Sequence, residues 1–296
     1  MERCPVVGRL AAVAAWALIA LLSWVGTSSA EVRVVSGLSQ HFDVAPGGTY
    51  RGTISVLNAG TNAESVLLYQ RDYRFAADGG STYGEPGSQP RSNARWIQLG
   101  PSPVLIPPGK RVDIPYRIAV PENPAGAAKG EAGDDGRAAA FTGTYWSMIM
   151  VEAQSGADAP VGGPLAPKQL QLGIQQRLRY GVQVITDFGD SGAPKLVAEQ
   201  PKLATTPDGT VSFQVDLHNQ GTRWSVPKVW IELYSADGKL QGRFAGSQQR
   251  LYPETSVREA IDFGRLKPGV YQAVFIADGG DNAVFGVRYR FDVKAA

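Results

Sequence analysis

Thr53-Ile54-Ser55-Val56-Leu57-Asn58-Ala59-Gly60-Thr61 has a counterpart much later in the chain, Phe213-Gln214-Val215-Asp216-Leu217-His218-Asn219-Gln220-Gly221-Thr222. Both stretches alternate apolar and polar residues, the period of a strand with one face buried. Both end in Asn-x-Gly-Thr, a turn signal: Asn bonds its own chain and tolerates left-handed backbone, and Gly supplies positive φ. A second strand follows each turn, one ending Leu67-Leu68-Tyr69, the other running Val229-Trp230-Ile231-Glu232-Leu233-Tyr234. One supersecondary unit has been used twice.

The correspondence continues outward. Leu105-Ile106-Pro107-Pro108-Gly109-Lys110 leads into a strand over 112–120, and Leu251-Tyr252-Pro253-Glu254-Thr255-Ser256 holds the same place in the second copy. Gly143-Thr144-Tyr145 and Gly269-Val270-Tyr271 each open a late strand, as the corner tyrosine does in immunoglobulin-like sandwiches. Asp78-Gly79, Asp208-Gly209 and Asp237-Gly238 mark turns between strands. The sequence therefore predicts an all-β protein of two tandem immunoglobulin-like β-sandwich domains, over 31–186 and 190–296, after a cleaved signal peptide. Insertions near 76–95 and 125–140 lengthen the first domain. Trp96, Trp146 and Trp230 are expected as core anchors.

Arg3 and Arg9 precede an apolar run over 10–25, and Thr27-Ser28-Ser29-Ala30 suits signal peptidase. The run is about 16 residues against the roughly 20 that a span requires. Export to the periplasm with cleavage after about Ala30 is expected, with no membrane span left in the mature chain; a final place at the cell surface remains open. The only cysteine, Cys4, leaves with the signal, and the mature chain keeps 27 basic against 26 acidic residues. Such a balance lacks the footprint of a nucleic-acid binder. Two histidines, His41 and His218, one in each half, do not make a metal site or a nucleophile–base arrangement. No phosphate loop, dinucleotide fingerprint or zinc-protease motif is present, and Asp134-Asp135 and Asp278…Asp281 lack regular calcium-ligand spacing. The chemistry points away from an enzyme, and no cofactor or metal is expected.

One segment, 170–184, alternates for about 15 residues, long against the usual five or six of a strand. Its apolar row is Leu170, Leu172, Ile174, Leu178, Tyr180 and Val182, and Arg177 and Arg179 lie on the polar face. Such a strand either closes the first sandwich internally or takes up another chain by strand addition. The order of features is similar to the periplasmic pilus-assembly chaperones of the PapD type. The likeness rests on Phe42-Asp43-Val44, Val56-Leu57-Asn58, Trp96-Ile97, the Pro-rich approach 101–109 to the strand 111–120, and the closing strand 170–184. The first domain also resembles the Ig-like domains of bacterial surface proteins. The chaperone resemblance implies that the closing strand lends its apolar row to a secreted polypeptide subunit. It also implies that a basic residue, here Arg177 or Arg179, holds the subunit's terminal carboxylate. That family carries a second basic anchor in its first strand, whereas Gly37-Leu38-Ser39-Gln40-His41 contains no arginine. The expected function is chaperone-like binding of pilus or surface subunits, with a structural or adhesive envelope protein, its modules acting as spacers, as the alternative.

Overall fold

A computed structural model describes residues 32–123, 140–154, 178–280 and 283–294. The leader, most of the 125–140 insertion, and Leu170, Leu172, Ile174 and Arg177 lie outside the described residues. Apart from a single 3-10 turn at Ala94–Trp96, every element among the described residues is a strand.

In chain order the first ten strands are β1 (Val32–Val34), β2 (Ser39–Asp43), β3 (Thr49–Asn58), β4 (Glu64–Phe75), β5 (Ser81–Gly84), β6 (Ile97–Leu99), β7 (Val104–Ile106), β8 (Arg111–Ala119), β9 (Thr144–Gln154) and β10 (Arg179–Asp187). They form two sheets, β1-β3-β8-β6 and β2-β10-β9-β4-β5, with β7 added beside the start of β4. Seven more follow: β11 (Leu196–Thr205), β12 (Thr210–Asn219), β13 (Lys228–Ser235), β14 (Leu240–Ala245), β15 (Ser256–Arg265), β16 (Gly269–Asp278) and β17 (Val284–Val293). These make the sheets β11-β12-β15 and β14-β13-β16-β17. The chain is thus two tandem β-sandwiches.

Alternation decides each core. Ile54 and Val56 of β3 meet Ile114, Tyr116 and Ile118 of β8 inside the first sandwich. Val211, Phe213, Val215 and Leu217 of β12 do the same in the second, against Ile231, Leu233, Ala273 and Phe275. Tyr271 donates its hydroxyl to the carbonyl of Lys267 at 2.9 Å, the corner bond its position predicts.

The repeated turn works differently from the sequence reading. Positive φ is not what it uses; the asparagine acts through a buried side chain. Asn58 Nδ2 donates to the carbonyls of Asn62 and Ile106, and its Oδ1 accepts from Gly60 N. Asn219 Nδ2 donates to the carbonyls of Arg223 and Leu251, and its Oδ1 accepts from Gly221 N. The same three bonds tie each first hairpin to the turn before a later strand. By contrast, the Asp-Gly turns do need glycine: Gly79, Gly209 and Gly238 sit at φ +85, +82 and +80.

The insertion near 76–95 is built into the molecule. Asp72, 1% exposed, accepts from Gly87 N, Ser88 Oγ, Gln89 N and Ser92 Oγ, which fixes the returning loop. Asn93, fully buried, donates to the carbonyls of Tyr145 and Val184. The tip of the β4–β5 hairpin reaches the second sandwich, where Ala77 N donates to Ser256 Oγ at 3.0 Å and Arg74 to the carbonyl of Glu254 at 2.6 Å.

Candidate functional site

The site begins with a strand that changes sheets. β1 pairs with β3, but after Val35 and Ser36, which both donate to the carbonyl of Ser55, the chain crosses over. It then joins the other sheet as β2, parallel to β10 over Gln183–Asp187. Gln183 N donating to the carbonyl of Leu38 is the first bond of that contact. Residues two apart on a strand point their amides the same way, so the backbone groups of Arg179 and Gly181 face the same side as Gln183. Among the described residues nothing pairs with them there, because β2 has already left. Leu38, 49% exposed, and Val35, 46% exposed, flank this open half-edge.

Of the site residues named from sequence, four lie outside the described residues. Leu178 and Tyr180 are half-buried, and Tyr180 packs on the first core while donating to the carbonyl of Val32 at 3.1 Å. Val182 is 0% exposed in that core. It fills its own sandwich and presents nothing to a partner, a correction to the sequence reading. Within the described part of the row, Tyr180 and Val182 face inward because the strand is seated between β9 and β2. Arg179 stands on the opposite, outward face, where Nε lies 2.9 Å from Oε2 of Glu152. Its charge is already matched.

The outward face of β4, β9 and β10 makes a wall beside this edge. Met148 and Met150 of β9 are buried, and Gly181 leaves the room that Met148 needs: a Cβ there would stand 2.2 Å from its sulfur. Tyr69, Arg71, Tyr83, Met150, Arg179 and Gly181 line a shallow concavity of about 430 Å³. Tyr69 donates to Glu152, and burial followed by that carboxylate pushes its phenol above the ordinary value. Arg71 lies over the Tyr69 ring and pairs with Glu85.

Further along the same face the second sandwich is seated. Tyr252 stacks on Trp146, with ring centres 4.9 Å apart and planes at 9°, and Ile185 and Phe75 complete the contact. Tyr252 donates its hydroxyl to Gln183 Oε1 at 2.8 Å. Trp224 Nε1 donates to Asp187 at 2.9 Å, and Thr144 N to the carbonyl of Thr222 at 2.8 Å. Trp146 is therefore an anchor of the seam, while Trp96 belongs to the first core and Trp230 lies half-buried on the outer face of the second sandwich under Arg243.

Sequence reasoning missed Arg250. It comes from the second sandwich, donates to Ser39 Oγ at 2.7 Å and lies 4.8 Å from the centre of the Trp224 ring. A cation thus stands beside β2, which carries no arginine or lysine of its own. Among the described residues no carboxylate is within ion-pair distance of it. No local pattern in the sequence announces this, since only the packing of one sandwich on the other brings Arg250 to Ser39.

No family model matches the chain, and no curated protein does. Solved structures do match in overall shape. One, described as a chaperone–tip adhesin complex of CFA/I fimbriae biogenesis, is 11% identical with a TM-score of 0.44 and covers 90% of this chain and 100% of its own. The class 5 fimbriae chaperone CfaA is 9% identical with a TM-score of 0.40, covering 90% and 99%. The CsuC–CsuE chaperone–tip adhesion subunit complex of Acinetobacter baumannii is 11% identical with a TM-score of 0.39, covering 89% and 97%. The chain is similar to these fimbrial chaperones in its all-β, two-sandwich fold.

Proposed function

We propose that this chain is an exported, chaperone-like protein of the periplasm that binds an extracytoplasmic polypeptide by strand addition along β10 and the alternating segment before it. The observation that carries the reading is the half-edge at Arg179 and Gly181, whose backbone groups face outward after β2 has turned away. An unpaired strand edge is a template for another chain. Leu170, Leu172, Ile174 and Leu178 would supply the apolar row, and Arg177 with Arg250 the charge-assisted contact to a carboxylate. Arg179, held by Glu152, serves to fix the wall.

The test separates backbone from side chain. Arg179→Pro removes the N–H that faces the open edge and leaves the pairing with β9 on the other side; Arg179→Ala removes only the side chain. Envelope extract of the source cells is passed over immobilised protein, and the captured polypeptides are identified and quantified. Capture by Arg179→Ala and loss by Arg179→Pro are expected. Equal capture by both would sink strand addition at this edge.

A further inference from the structure

The seam between the sandwiches closes over a small charged cluster. Asp187, at the end of β10 and 3% exposed, accepts from Thr144 Oγ1 of the first sandwich and Trp224 Nε1 of the second. His41 of β2 completes it, with Nε2 3.3 Å from Asp187 Oδ2 and its ring 5.0 Å from that of Trp224. On the Trp224 indole lies the Arg250 guanidinium, which also holds Ser39, two residues before His41. Arg223, in the loop that carries Trp224, donates to the linker carbonyls of Gly189 and Ser191 at 2.6 and 3.1 Å.

The charges facing His41 are two acids, Asp187 and Asp43, and two arginines, Arg250 and Arg223. A proton on His41 adds a third cation to a set that is already balanced, in a place the docked sandwich has partly stripped of water. We propose that this cluster is an acid-released clasp: protonation of His41 loosens the seating of the second sandwich on β2 and β10. The sign follows from where the proton is preferred. In the docked state burial holds His41 below its ordinary pKa of about 6.5, because Arg250 and Arg223 offset most of the upward pull of Asp187 and Asp43. Undocked, the imidazole is solvated and both arginines leave with the second sandwich, while Asp187 and Asp43 stay beside it in the first, so its pKa rises to that value or beyond. Docking is therefore supported in full above the undocked pKa and weakens as pH falls through the lowered one. The clasp depends on the seam alone and stands whether or not a partner binds at β10.

The chain has only two histidines, so proton NMR of residues 31–296 shows two imidazole titrations, and His41→Gln assigns one by its loss. His41 is expected to titrate below free imidazole, and Tyr252→Ala, which opens the seam by removing packing, to return it upward. Spin labels on Lys110→Cys and Lys239→Cys, one on each sandwich, report the distance distribution between the two. It is expected to broaden between pH 7.5 and 5 in the native chain and to stay unchanged in His41→Gln. A His41 titration at or above the free value overturns the clasp, as does a native distribution indifferent to pH. So does His41→Gln broadening as much as the native chain.

Discussion

Replacing Tyr252 by alanine tests whether the two sandwiches are one cooperative unit. The ring is 1% exposed, so its whole apolar surface is withdrawn from water. Truncating a buried aromatic to alanine costs about 3 to 5 kcal/mol. Part of that belongs to the seam. Tyr252 stacks on Trp146 at 4.9 Å and meets Phe75 edge-on at 6.3 Å, both from the first sandwich. Aromatic pairs of this kind contribute roughly 1 kcal/mol each, so about 2 kcal/mol of coupling is removed, a factor of roughly 30 in docking. Urea unfolding followed by tryptophan fluorescence and by circular dichroism is the assay. The native chain is expected to unfold in one coincident transition and Tyr252→Ala in two. Tyr252→Phe keeps the stack and loses the bond to Gln183, so it is expected to cost only about 1 kcal/mol and leave one transition. A double-mutant cycle with Trp146→Ala should return about 1 kcal/mol of coupling. A single transition in Tyr252→Ala, with coupling to Trp146 indistinguishable from zero, would refute the reasoning.

Asn58→Ala and Asn219→Ala each leave one buried carbonyl, that of Ile106 or Leu251, without its donor, and each is expected to lower stability by about 1 to 3 kcal/mol in urea titrations. Both changes should lower the midpoint of the one coincident transition. Val182→Ala is expected to cost about 2 kcal/mol in stability and to leave partner capture at the native level, because the side chain belongs to the core.

How far the sequence could be read depends on the range of the forces involved. The strands around Asn58 and Asn219 were legible because alternation and turn chemistry are local, and the repeat doubled each signal. Even there the mechanism was misassigned: an asparagine reaching the carbonyl of Ile106 or Leu251 is a long-range bond, and spacing does not reveal it. The loop near 76–95 was legible only as an insertion, because its anchor, Asp72, lies in the preceding strand and its docking point, Ser256, in the other sandwich. At the candidate site the alternation of 178–184 was legible, but which face turned inward was not. That choice is made by β9 and β2, and it buries Val182 and leaves Arg179 outside against Glu152.

The parallel contact of β2 with β10 also sets an order of events. It joins Ser39 to Gln183, so the first sandwich encloses almost its whole length of chain within one closing contact. Closing so long a loop is entropically costly, and pairings of such separation form late and slowly. The strip at Arg179 and Gly181 is defined only when that contact forms, since until then the whole of β10 lacks a neighbour on that side. A chain emerging amino-terminus first therefore defines this strip late, when the rest of the first sandwich is there to confine it to Arg179 and Gly181.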